Sequence, residues 1–117
     1  MFNNEIKEVF SKIKTAKIVD VVFEMQFTAN RFNQMVKLVC EVSSEETIRV
    51  CMTRDKDHDV VIATQVLDNR GNITGDIFHN VPHKEWSEDK VVAAELKDAW
   101  DMLADKARVF FDEQAIA

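Results

Sequence analysis

Glycine and proline are almost missing from this sequence, with two glycines and one proline among 117 residues. That scarcity excludes collagen-like repeats, flexible Gly/Ser linkers and long low-complexity segments. Glycine loops that cradle phosphates cannot be built from Gly71 and Gly75 alone. Cysteine is nearly as scarce. Cys40 and Cys51 sit in stretches that alternate like strands, and a disulfide-stapled secreted domain would carry more of them. Both are expected to be free thiols. No apolar run approaches the roughly 18 residues of a membrane span, and the N-terminal stretch lacks the apolar block and small-residue cleavage site of a secretory signal. The expectation is a soluble, cytoplasmic protein, in which the Asn72-Ile73-Thr74 sequon is fortuitous.

Basic residues are the minority, 15 against 21 acidic ones, for a net charge of −6. Nonspecific nucleic-acid binding rests on a basic face and is disfavoured. Most of the excess lies late in the chain, since residues 84–117 hold 5 basic and 9 acidic groups. The length suits one hydrophobic core, hence a single α+β domain over residues 1–117.

What is present is periodic. Phe2, Ile6, Val9, Phe10 and Ile13 form one stripe of an amphipathic helix that Asn3 or Asn4 can cap. From Lys17 the period becomes two. Val19, Val21, Phe23, Met25 and Phe27 share one face, and Asp20, Glu24 and Gln26 the other. Thr28 to Arg31 reads as a turn. A second strand puts Val36, Leu38, Cys40 and Val42 together, and a third puts Ile48, Val50 and Met52 against Thr47, Arg49, Cys51 and Thr53. In a fourth, Val60, Ile62 and Val66 alternate with Val61, Ala63 and Leu67, so it is expected to be central or covered on both sides. Asp68 to Asn72 is a hairpin loop with Gly71 available for positive φ, and a short fifth strand follows over residues 73–78.

Pro82 stops any helix from running through the next stretch, and Ser87 then reads as the N-cap of a long C-terminal helix, with Trp86 and Val91 as an apolar staple. Val92, Leu96, Ala99, Leu103, Ala107 and Phe110 form its stripe. Trp100 and Phe111 widen the apolar arc, either as a thick core contact or as an interface with a partner or second copy. Consecutive strands on short connections imply an antiparallel meander of about five strands, with the helices on one sheet face.

Candidate chemistry is thin. Asp55-Lys56-Asp57-His58-Asp59 opens like a calcium loop, but Val60 stands where glycine must turn the chain and Val66 where a bidentate Glu is needed. His79 and His83 have helical zinc spacing, yet Pro82 lies between them and no Cys-x-x-Cys pair accompanies them. Cys51 shares a face with Arg49 and Thr53, where a lowered thiol pKa is conceivable. Phe23 and Phe27 share their face with apolar residues and read as core rather than as base-stacking platforms.

The most informative feature is an acidic row on the C-terminal helix: Asp98, Asp101, Asp105 and Asp112, with Arg108 beside them. Such like-charge pairs cost about 0.2–0.5 kcal/mol each, and Asp is a poorer helix former than Glu. The row is either a solvated outer face or an electrostatic docking strip for a basic partner. The expected function is a non-enzymatic protein-binding module of the inhibitor or adaptor type, without metal or cofactor, docking through that helix or the open sheet face. The alternative is a ligand-binding domain or enzyme with a pocket between sheet and C-terminal helix, drawing on His58, His79 or Cys51.

Overall fold

The computed structural model describes residues 2–28, 31–55 and 57–116, the side chains of 26–28, 31, 32 and 116 excepted. A helix α1 (Asn4–Thr15) is followed by five strands, β1 (Lys17–Thr28), β2 (Arg31–Ser43), β3 (Glu46–Asp55), β4 (Val60–Asp68) and β5 (Ile73–Val81). A short helix α2 (His83–Glu88) and a long helix α3 (Lys90–Ile116) close the chain. The strands pair antiparallel in sequence order, as short connections require. The middle of the expected turn after Thr28 lies outside the described residues.

Asn3 caps α1 by accepting the Ile6 N–H on its Oδ1 at 2.9 Å. The helix buries Ile6, Val9, Phe10 and Ile13. α1 and α3 run alongside each other in the same direction: the Phe2 N–H donates to the Glu95 carboxylate near one end, and Lys106 Nζ donates to the Lys14 carbonyl at 2.6 Å near the other. Both pack on the same sheet face. Across the strands, the row Val21, Leu38, Val50, Thr64, Ile77 and the row Phe23, Val36, Met52, Ile62, His79 point toward them. From the helix side Leu96, Ala99, Trp100, Leu103 and Ala107 complete the core. Burying each large side chain contributes about 1.5–3 kcal/mol. Thr64 is the polar exception: it is fully buried and its Oγ1 has no partner among the described residues.

Four expectations are corrected. The first concerns β1. The register shifts between Ile18 and Asp20, so Val19 leaves the core face and is 38% exposed while Ile18 packs against the core. An extra residue in one strand reverses the alternation, and here the Asp20 carboxylate accepts the Val21 N–H at 2.9 Å.

The second is the start of the C-terminal helix. Pro82 precedes a helix rather than excluding one, because its φ of −59° suits a first turn. Ser87 lies inside that helix, its hydroxyl donating to the Lys84 carbonyl. Asp89 is the actual cap of α3: its carboxylate accepts from Val91 N–H at 2.9 Å and Val92 N–H at 3.4 Å, and its carbonyl accepts from Ala93. A carboxylate there also meets the positive end of the helix dipole. Val91 is 60% exposed and staples nothing.

Third, β4 is an interior strand, as expected, but it is not covered twice. It lies between β3 and β5, with Val61 and Ala63 half-exposed on the face away from the helices. Fourth, β5 runs on through His79 to Val81. The hairpin before it is as expected: Gly71 has φ +82°, and the Asp68 carboxylate accepts the N–H groups of Arg70 and Asn72, which holds its pKa below the usual carboxylate value.

Candidate functional site

α3 presents its aspartates outward. Asp98, Asp101, Asp105 and Asp112 are all exposed, as an acidic outer face requires. The row is partly neutralised by its own helix. Lys97 Nζ donates to Asp101 at 2.7 Å, and Arg108 Nη2 donates to Asp105 at 2.8 Å.

The opposite surface of the molecule is the bare side of the sheet. Register places Val22, Lys37, Cys51, Ala63 and Phe78 in one row across all five strands. The rows on either side of it are more polar: Asp20, Val39, Arg49, Gln65 and Asp76 on one side, Glu24, Met35, Thr53, Val61 and Asn80 on the other. Phe78 is 70% exposed and Ile73 is 55% exposed, whereas Leu67 on the same face is buried. Lys37 stands in the largely apolar row and Arg49 in a polar one, and among the described residues neither is held in an ion pair. Both thiols are free. Cys51 does not gain the lowered pKa its neighbours suggest: burial pushes its thiol up, and Lys37 offsets that only in part. Cys40, inside the helix-covered core, is pushed up to about 11 by burial against a smaller opposing effect of Lys106.

The histidines do not assemble. His58 lies on the β3–β4 connection with Nε2 3.7 Å from Asp55 Oδ2. His83 begins α2, its ring edge-on to Trp86 at 4.8 Å. His79 sits on β5 with its ring against Phe2 and its Nε2 buried without a partner among the described residues. Cys51 is on the far side of the sheet. Asp55 and Asp59 serve local structure: Asp55 Oδ1 accepts the Asp57 N–H, and Asp59 accepts from His83 N–H and Asn80 Nδ2. Lys56 lies outside the described residues. Among the described residues no group of three or more His, Cys, Asp or Glu could hold a metal ion.

A cavity of about 610 Å³ opens where β2, β3 and β4 end beneath α2 and α3. Met52, Val60, Ala93, Leu96 and Trp86 give it apolar walls, and Arg54, Asp55, Lys97 and Asp101 its charges. Trp86 is fixed there by its indole N–H, which donates to the His58 carbonyl at 3.1 Å. Arg54 sits with its guanidinium carbon 4.4 Å from the centre of the buried Trp100 ring, and its Nε donates to Gln34 Oε1. Burial pulls its pKa down while Asp101 acts the other way. Of the acidic row only Asp101 reaches this cavity, and of the histidines only His83. Arg54 was the legible signal: it continues the core-facing alternation Ile48, Val50, Met52 with a charge where an apolar residue belongs.

No helix is long and apolar enough to cross a membrane among the described residues. No family model, curated protein or solved structure matches the chain.

Proposed function

We propose that this chain is a non-enzymatic protein-binding module whose principal docking surface is the bare face of its sheet. The observation that carries this reading is the row Val22, Lys37, Cys51, Ala63 and Phe78, a largely apolar band with no helix over it, in which Lys37, like Arg49 in the adjacent row, has no ion pair among the described residues. Exposed apolar surface of this kind is the usual mark of an interface. Lys37 and Arg49 select a partner surface that is apolar with a carboxylate over their position, since unlike charge steers encounter and fixes orientation. The acidic row of Asp98, Asp101, Asp105 and Asp112 is a second contact, for a basic surface, on the other side of the molecule. It ranks second because Lys97 and Arg108 already neutralise two of its four charges. The two free thiols suit the reducing cytoplasm.

The test compares Phe78→Asp, the pair Lys37→Glu with Arg49→Glu, and the triple Asp98→Lys, Asp101→Lys, Asp105→Lys in affinity capture from the native host. Circular dichroism verifies each fold. The first two are expected to lose partners that the triple retains. If Phe78→Asp captures everything the parent captures, with the same salt sensitivity, the sheet-face reading is wrong. Light scattering over a range of concentrations detects a second copy as the occupant.

A further inference from the structure

Arg54 is a half-buried cation that no carboxylate among the described residues reaches at ion-pair distance, Asp101 acting on it only from farther off. Its guanidinium carries five N–H donors, of which Nε is committed to Gln34. Among the described residues no oxygen accepts from its Nη groups, and no carboxylate forms an ion pair with it. The two acids that share its cavity are engaged elsewhere: Asp101 takes Lys97 at 2.7 Å, and Asp55 takes the Asp57 N–H and faces His58. Contact with the Trp100 ring and the bond to Gln34 hold the guanidinium in place, so little side-chain freedom remains to be lost when an anion arrives. A partly desolvated charge held this way favours a partner over water, because its attraction is less screened there than at the surface.

We propose that this cavity binds a small apolar monocarboxylate, its carboxylate on the Arg54 Nη groups and its apolar body against Met52, Val60, Leu96 and Trp86. The volume of about 610 Å³ falls within the roughly 300–1,000 Å³ of small-molecule sites. A carboxylate matches the guanidinium fork with two parallel hydrogen bonds. A second negative charge on the ligand meets the Asp55 carboxylate while Lys97 is already taken by Asp101, which favours a monoanion over phosphate monoesters. The apolar walls exclude acetate-sized anions, which leave those walls uncovered. This site lies on the helix side of the sheet and stands or falls independently of the docking face.

The chain has two tryptophans and no tyrosine. Trp86 lines the cavity and Trp100 underlies Arg54, so tryptophan emission reports this site directly. Titration of the full chain with 3-phenylpropionate is expected to give a saturable change. At least tenfold weaker responses are expected for 3-phenylpropionamide, which lacks the charge, and for phenyl phosphate, which carries too much. Arg54→Gln is expected to weaken 3-phenylpropionate binding at least tenfold with circular dichroism unchanged. Ala93→Phe, which fills the cavity from α3 and leaves Arg54 intact, is expected to abolish binding, and it decides the matter together with the amide comparison should Arg54→Gln fail to fold. No saturable response to 3-phenylpropionate overturns the proposal. So does equal binding of the amide or of phenyl phosphate, or binding unchanged in folded Arg54→Gln or Ala93→Phe.

Discussion

The two faces of this sheet are made by the same five strands and end in opposite conditions. On one, Val36, Leu38, Ile48, Met52 and Ile62 have no exposed surface, because α1 and α3 lie across them. On the other, Val22, Cys51, Val61 and Ala63 stay half-exposed and Phe78 lies open. The cysteines make the contrast exact in chemistry: Cys40 points into the covered core and Cys51 out of it. Apolar character alone therefore does not say which face of a strand is core. A face becomes core when another element covers it, and this chain has helical surface enough for one face.

The largest expected effect is on stability. Leu38→Ala, on the covered face, should lower the unfolding free energy by about 2–5 kcal/mol through lost burial and an unfilled cavity. Val61→Ala, on the bare face, should cost about 1 kcal/mol or less. Urea denaturation measures both, and equal losses would mean that the second face is covered too. Next comes thiol reactivity. Cys51 should react with a disulfide reagent at least 100-fold faster than Cys40, whose modification waits on opening of the core. Both rates should rise with pH well into the alkaline range, since burial raises both thiol pKa values. Protection of Cys51 at high protein concentration would reveal a second copy on the bare face. The smallest effect reverses the usual sign: Thr64→Val removes a buried hydroxyl without a partner among the described residues and should stabilise by about 1 kcal/mol, whereas Thr53→Val on the bare face should change stability by about 0.5 kcal/mol or less. A destabilised Thr64→Val would show that a bound water or other group satisfies that hydroxyl.

Much of the fold was legible. The stripe from Val92 to Ala107, the strand pairing order and the Gly71 hairpin are local consequences of period and turn chemistry, and they stand as read. The misplacements share a physical cause. The bulge at Val19 costs one residue of alternation, and nothing in Lys17-Ile18-Val19-Asp20 announces it. Ser87 and Asp89 are both good caps, and the choice between them depends on α2, which begins directly after Pro82, a residue that by itself signals a stop. A pocket between sheet and helix is only the alternative reading of the sequence, with His58, His79 or Cys51 as its chemistry, and none of those three lines the cavity at Arg54. Its charged residues, Arg54 and Asp55 from β3 and Lys97 and Asp101 from α3, come from segments far apart in sequence.

The sequence by itself determined the order of helix and strands, the antiparallel meander and the outward set of the aspartates, because each follows from hydrophobic period and short connections. Only the tertiary structure decided which sheet face the helices cover and where Trp86 and Trp100 meet Arg54. Those outcomes depend on three-dimensional proximity and on which of several equally apolar surfaces finds a partner, and no local pattern of residues encodes either.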